Sequence, residues 1–184
     1  NQNISSLGSG VYELIVTDAN NCYQNYSQTL TDPDEFLASV STYDASCYQT
    51  NDGAIASSFT GGTSPYISYL LDDNQQIFNV QDSTGNLLPS QYYVYGEDIN
   101  GCISDTLSII INEPNPISII TTDLIDLECN NIPTGLISIQ ASGGAGVFNS
   151  YQWTGPNSYS GQGQTINGLF AGDYSLTVLD NNNC

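Results

Sequence analysis

The sequence predicts an all-β chain of tandem sandwich-type repeats of about 80 residues, each closed by one disulfide. Five cysteines recur along the chain with a fixed period. Short alternating strands fill the stretches between them and are separated by Gly, Asn, Asp, Ser and Pro. No stretch keeps helical spacing long enough to predict a helix.

The repeat is seen first in the cysteines. Cys22, Cys102 and Cys184 follow one another at nearly equal intervals, and Cys129 follows Cys47 at the same interval. The flanking residues agree, since the three segments GVYELIVTDANNC, QYYVYGEDINGC and GDYSLTVLDNNNC each run from an alternating strand through an acidic residue and a turn to Cys. Agreement at one period indicates an internal repeat.

Two cysteine pairs share one spacing. Cys47 precedes Cys102 by the same number of positions as Cys129 precedes Cys184. This favours the intradomain pairs Cys47–Cys102 and Cys129–Cys184, with the partner of Cys22 upstream of this chain. Each bond is expected to stabilise a small domain by roughly 4 kcal/mol and indicates an oxidising compartment. The alternative is buried, reduced cysteine in a cytosolic repeat protein; a thiol nucleophile or a zinc site is disfavoured, because the chain has no His.

Proline-containing segments mark the domain borders. TDPDEF (31–36) and NEPNPI (112–117) occupy the same place in the repeat, shortly before Cys47 and Cys129, and predict short, semi-rigid junctions. Borders near 33 and 114 give the end of one repeat (1–33), a complete repeat (34–114), and a repeat lacking its last strand (115–184). The predicted strands of the two longer segments, six and five in number, suggest immunoglobulin-like sandwiches. They are Phe36–Tyr43, Gly53–Thr60, Tyr66–Leu71, Gln76–Val80, Tyr92–Glu97 and Thr106–Asn112, then Ile117–Ile125, Gly135–Ala141, Ser150–Thr154, Gln164–Leu169 and Tyr174–Leu179.

The charge balance excludes several functions. The chain holds 19 Asp and Glu residues and no Lys, Arg or His, which gives a formal charge of −19. Such a surface cannot neutralise phosphates, so nucleic acids and anionic lipid headgroups are excluded as partners. The acidic surface is expected to keep repeats soluble and apart. No run of 18 apolar residues exists, so membrane insertion is not expected. A start without Met and an end on Cys184 are expected of a segment of a longer polypeptide.

The aromatic residues suggest cores more than binding sites. Trp153 is the only tryptophan and follows Gly143-Gly144, and Tyr69 is placed correspondingly after Gly61-Gly62. A ligand-stacking ring is one interpretation. A core ring packed against the disulfide is the alternative that we favour.

The order of these motifs resembles the SprB-type repeats of giant cell-surface proteins of gliding and adhesive Bacteroidetes. The resemblance is carried by NDGAIASSFTGGTSPYISY…YYVYGEDINGC, by TGLISIQASGGAGVFNSYQWTG…GDYSLTVLDNNNC, and by the joining EPNP, and it covers nearly the whole chain. It implies a tandem stalk in an extracellular, cell-surface adhesin or filament, exported by type IX secretion. The partners that it implies are neighbouring repeats, identical chains in a filament, surface polysaccharide and the gliding machinery.

Calcium is the one cofactor that the sequence suggests. Calcium takes six to eight oxygen ligands, and acidic residues precede the Asn-rich turns or crowd the first junction. The alternative is that each Asp caps its own turn. The candidate ligands are Asp18, Asp32, Asp34, Glu35, Glu97, Asp98 and Asp180.

Other chemistry is weakly indicated. Asp82-Ser83-Thr84 and Asp105-Thr106-Leu107 resemble a bacterial O-glycosylation signal, with Ser83 and Thr106 as acceptors. Nineteen carboxylates produce glycosidase-like pairs by chance, so we predict no enzyme. The functional prediction is a non-catalytic stalk of an adhesin that mediates attachment or gliding. The alternative is a glycan-binding accessory module of a secreted polysaccharide-degrading enzyme.

Overall fold

A computed structural model describes residues 3–80 and 83–184, and these form β-strands with one short 3-10 turn, Pro156–Ser158. The pattern follows from alternating apolar and polar residues between turn-forming ones. The strands are β1 (Gly10–Thr17), β2 (Tyr23–Leu30), β3 (Leu37–Tyr43), β4 (Gly53–Thr60), β5 (Tyr66–Leu71), β6 (Ile77–Val80), β7 (Ser83–Leu87), β8 (Ser90–Asp98), β9 (Leu107–Ile111), β10 (Asn115–Ile125), β11 (Gly135–Gly144), β12 (Phe148–Gly155), β13 (Tyr159–Gln162), β14 (Thr165–Leu169) and β15 (Ser175–Asp180).

The central part of the chain is a sandwich of two antiparallel sheets. One sheet has the order β3-β4-β7 and the other β6-β5-β8-β9. Their inner faces enclose a core of side chains from both sheets, because alternate residues of each strand point inward. The buried core residues are Ile55, Leu70, Tyr92, Val94 and Ile111.

The last part of the chain repeats this arrangement. Its sheets have the orders β10-β11-β14 and β13-β12-β15. Each of these strands has a counterpart in the central sandwich, whose edge strand β9 alone has none among the described strands of the last part. The core consists of Ile139, Trp153, Ile166 and Leu169. At the other end of the chain β1 and β2 form a hairpin in register from Gly10↔Leu30 to Thr17↔Tyr23, which is the counterpart of β8 and β9.

The predicted fold class is confirmed in its coarse form: the described chain is all-β and built from several small antiparallel sheets. Gly53–Thr60 and Tyr66–Leu71 have the bounds that the pattern predicts. Two short strands, β7 and β13, were not predicted, because their sequences STGNL and YSGQ are rich in turn-forming residues. The borders near 33 and 114 stay a prediction. No helix within the described ranges is long and apolar enough to cross a membrane.

Candidate functional site

The same five-residue turn begins at the end of β1, β8 and β15, and so recurs in each of the three parts of the chain. In each, an Asp Oδ1 accepts the backbone N–H groups of the second and fourth residues that follow. Oδ1 of Asp98 accepts the N–H groups of Asn100 and Cys102, both at 2.9 Å. Oδ1 of Asp180 accepts the N–H of Asn182 at 2.9 Å and that of Cys184 at 3.0 Å. Oδ1 of Asp18 accepts the N–H of Asn20 at 2.8 Å and that of Cys22 at 2.9 Å. The Asp therefore sets the geometry of the turn and the position of the cysteine at its end.

In the two sandwiches this Asp also holds a neighbouring loop. The Oδ2 atom of Asp98 accepts the N–H of Thr63 at 2.9 Å, and that of Asp180 accepts the N–H of Ala145 at 2.7 Å. Asp98 is 4% exposed and Asp180 is fully buried. Each carboxylate thus accepts three hydrogen bonds from backbone N–H groups, and these replace the hydrogen bonds that water would donate to an exposed carboxylate.

These hydrogen bonds also explain the acidity of the two groups. The N–H of Cys102, followed by those of Thr63 and Asn100, lowers the pKa of Asp98 against the opposing effect of burial. The pKa of Asp180 is lowered in the same way, first by the N–H of Ala145. Both side chains are therefore charged near neutral pH although the chain supplies no cationic partner.

The Gly-Gly pairs lie against this turn. Gly62 and Gly144 adopt φ of +52° and +56°, and a Cβ there would meet Oδ2 of Asp98 or Asp180 respectively. The preceding glycine of each pair lies against backbone at the start of its sandwich, since a Cβ on Gly61 would meet the carbonyl oxygen of Glu35 and one on Gly143 that of Pro116. A pair without side chains is required because backbone and carboxylate approach from two sides.

A tyrosine corner precedes each turn, and sequence reasoning missed it. The hydroxyl of Tyr92 donates to the carbonyl of Leu88 at 2.9 Å, as Tyr174 does to Phe170 at 3.0 Å. Tyr12 makes the same contact four residues back, to Gly8 at 2.9 Å. The signal was available, because each tyrosine stands six residues before the turn Asp. Such corners are a hallmark of immunoglobulin-like sandwiches.

The disulfide joins the two sandwiches. The bond is Cys47–Cys184, with Cα atoms 5.7 Å apart and a sequence separation of 137, while Cys22, Cys102 and Cys129 carry exposed free thiols in the described chain. The predicted intradomain pairs Cys47–Cys102 and Cys129–Cys184 are therefore wrong.

The physical reason is the length of the sandwich. Cys47 lies in the loop after β3, next to the end of β9, where the N–H of Ala45 donates to the carbonyl of Asn112 at 2.9 Å. Cys102 follows Asp98 at the opposite end of β8, a strand of nine residues. Such a strand is roughly 30 Å long, whereas disulfide-linked Cα atoms lie within about 7 Å. A bond within one sandwich would have to span its whole length.

Polar contacts surround this joint. The Nδ2 of Asn182, in the turn of the second sandwich, donates to the carbonyl of Ser46 at 2.8 Å. Beneath it, Oδ1 of Asp52 accepts from the N–H of Ser46 at 3.0 Å and from the hydroxyl of Thr50 at 2.8 Å. The Ser46 hydroxyl also donates to Asp52, and these bonds, that hydroxyl first, lower its pKa to about 2. The N–H of Gln49 donates to the Glu113 carboxylate, which ties the loop to the chain between the sandwiches.

The residues predicted to bind calcium do not come together. Asp18, Asp98 and Asp180 each hold a separate turn, which is the arrangement given by the alternative interpretation. Asp32 accepts the Ser9 hydroxyl at 2.6 Å, and the Glu97 carboxylate accepts the Tyr69 hydroxyl at 2.9 Å. Among residues 3–80 and 83–184 no three His, Cys, Asp or Glu side chains form a group suited to a metal. Calcium binding stays a prediction, as does O-glycosylation at the exposed residues Ser83 and Thr106; Asp82 lies outside the described residues.

Trp153 is a core residue, as expected. It is 4% exposed, and its Nε1 donates to the carbonyl of Gly163 at 2.9 Å. Its packing partners are the apolar residues of the second core, so the expected packing against a disulfide is wrong.

Its counterpart in the central sandwich is not Tyr69. Trp153 pairs with Leu176, and Leu70 pairs with Val94, which stands one repeat period before Leu176. Leu70 therefore occupies the place of Trp153. Tyr69 points to the opposite face of the strand and stacks on Tyr95 at 4.8 Å, because a shift of one residue changes the face of the sheet.

Comparison with known proteins shows the fold. No family model and no curated protein matches the chain. The chain is similar to a solved structure of three N-terminal domains of the bacteriophage RB49 highly immunogenic outer capsid protein (Hoc), with a TM-score of 0.51 and 13% sequence identity. The match covers 79% of this chain and 55% of that one, so the chain spans about half the length of the structure it matches. The chain is an all-β protein that resembles tandem immunoglobulin-like domains.

Proposed function

We propose that the chain is part of a non-catalytic, extracellular stalk that carries mechanical load. The carrying observation is the disulfide between the sandwiches, which adds a covalent link to the polypeptide at the joint. A disulfide of this kind persists in oxidising, extracellular compartments. The order of motifs that resembles SprB-type repeats supports placing the stalk in a surface adhesin of attachment or gliding.

The disulfide changes how the chain responds to force. Tension along the polypeptide passes from Cys47 to Cys184 through the sulfur atoms, so the segment between them, with a sequence separation of 137, bears none of it. Taking 137 from 184 leaves 47 residues free to extend. At about 3.5 Å per residue the oxidised chain reaches about 160 Å and the reduced chain about 640 Å.

Single-molecule pulling from tags at the two termini tests this function. We expect the oxidised chain to stop at the shorter length and to reach the longer one after reduction. The variant Cys184→Ser is the matched control, and it should reach the longer length without reductant. An oxidised wild-type chain that extends fully would remove the load-bearing role.

The alternative, a glycan-binding module, has less support. Trp153 is buried, and its N–H is already bonded, so it offers no ring for a sugar to stack upon. The parent gene separates the two functions. A stalk requires a row of similar repeats, whereas an accessory module requires an adjoining catalytic domain.

A further inference from the structure

We propose that the free cysteines Cys22, Cys102 and Cys129 are halves of further disulfides between repeats. In this ladder the cysteine of the loop after the first strand of one repeat binds the turn cysteine of the next repeat. The idea deepens the proposed stalk and rests on it, because it requires further copies of the repeat on either side.

The first argument is that the turn cysteines are structurally equivalent. Cys184, which is bonded, and Cys102 and Cys22, which are free, each end the same Asp-centred turn. The N–H groups of Cys102 and Cys184 donate to the turn Asp at 2.9 and 3.0 Å. A partner that fits the Cys184 thiol therefore fits the other two in the same geometry.

The second argument is that the loop cysteines are equivalent. The carbonyl of Cys47 accepts the N–H of Thr50 at 3.3 Å, and that of Cys129 accepts the N–H of Ile132 at 3.3 Å. The second residue after each cysteine has a positive φ, 57° at Gln49 and 58° at Asn131. Cys129 thus sits in the same turn as the bonded Cys47 and is exposed.

The third argument is that a free cysteine cannot pair within its own sandwich. Cys129 and Cys184 lie at opposite ends of the second sandwich, as Cys47 and Cys102 do in the first, and the strand between them is too long for a disulfide. The ligand that the site accepts is the thiol of a neighbouring repeat.

Each new bond joins two thiols and releases two protons and two electrons. The electrons pass to the disulfide of an oxidised dithiol carrier by thiol–disulfide exchange, and the carrier leaves as a dithiol. Each bond spans 137 residues, which is longer than one repeat period, so consecutive bonds overlap along the chain. Tension therefore passes only through the short segments between a turn cysteine and the next loop cysteine, such as Cys102 to Cys129, and most of each repeat is shielded.

Two lengthened chains test the ladder. In the first, a second copy of residues 103–184 follows Cys184. In the second, a second copy of residues 23–102 follows Cys102. Both keep every residue of the present chain and extend it by one period, and circular dichroism with hydrogen exchange verifies that the strands form.

The bonds are read by proteolysis at acidic residues without reduction and mass spectrometry. In the first chain we expect Cys129 to link to the added copy of Cys184 and to lose its alkylation. In the second we expect Cys47 to link to the added copy of Cys102, and the added copy of Cys47 to link to Cys184. The control is the first chain with serine in the added copy of Cys184, where alkylation of Cys129 returns.

A folded lengthened chain in which Cys129 stays alkylated, or links to Cys184, would overturn the ladder. The mass-spectrometric disulfide map reports which cysteines are bonded, and it does not report which segments bear tension. If the ladder bonds form but the oxidised chain still extends fully under tension, the load-bearing stalk is contradicted and the ladder is not. If the ladder bonds do not form but the oxidised wild-type chain stops at the shorter length, the ladder is contradicted and the stalk is not.

Discussion

Replacing Cys184 by serine is expected to weaken both sandwiches, although Cys184 belongs to only one of them. Closing a loop of 137 residues stabilises the chain against complete unfolding by about 5 kcal/mol in the chain-entropy model. If only the central sandwich unfolds, the segment from Cys47 to Asn115 forms a closed loop, because the disulfide holds one end and the folded second sandwich holds the other. If only the second unfolds, the disulfide and the folded central sandwich close the segment between Asn112 and Cys184. Each segment holds about 70 residues, so each sandwich loses about 4 kcal/mol.

The assay is hydrogen exchange followed by mass spectrometry in increasing denaturant. Amides of β8 report the central sandwich, and amides of β15 report the second. We expect both to lose protection in Cys184→Ser under oxidising conditions, and Cys47→Ser and the double variant to behave alike, because all three remove one bond. Cys22→Ser is the control, since that thiol is free and exposed. Loss of protection in β15 alone, with β8 unchanged, would refute the reasoning and favour a bond within the second sandwich.

The remaining expectations concern single side chains. Leu70→Ala should destabilise the central sandwich by about 2–5 kcal/mol in denaturant unfolding, because Leu70 is 1% exposed and a cavity remains; a loss below that range would mean that the core closes around the gap. Tyr92→Phe removes the corner hydrogen bond and should cost about 1 kcal/mol, and an unchanged midpoint would contradict a stabilising corner. Gly144→Ala should lower the melting temperature, since alanine is strained at φ +56° and its Cβ meets the Asp180 carboxylate; equal melting would show that the loop adapts. Asp52→Asn tests the acid response. The pKa of Asp52 is lowered from 3.8 to about 2, so its contribution is complete above 3.8 and lost as pH falls towards 2. The difference from wild type should therefore vanish at the acid end, whereas a constant difference would contradict the pKa.

Much of the fold could be predicted from sequence because the strands carry their own signal. In segments such as GAIASSFT and YISYLL, buried positions alternate with half-buried or exposed ones in the structure, as the period-two pattern predicts. The edge strands β7 and β13 could not be predicted, because their Gly, Ser and Asn content matches that of a turn. The register of Trp153 against Tyr69 was off by one residue, because β12 has a register shift between Phe148 and Ser150 that adds one residue, whereas β5 pairs with β8 without a shift.

The disulfide pairing could not be deduced for a different reason. A loop cysteine can bind the turn cysteine of its own repeat or that of the next repeat, and the bond in the structure takes the second choice, with a sequence separation of 137. Both choices keep the period of the sequence. Only the positions of the two loops at opposite ends of a sandwich decide between them, and that is a property of the folded chain.

The covalent joint is tested most directly by mapping the disulfide of the oxidised 184-residue chain. Proteolysis at Asp and Glu is suited to this map, because the sequence offers no Lys or Arg for trypsin. The expected result is one linked pair of peptides that contains Cys47 and Cys184, with Cys22, Cys102 and Cys129 labelled by a thiol reagent. A linked pair that joins Cys47 to Cys102 would contradict the joint and the load-bearing role inferred from it.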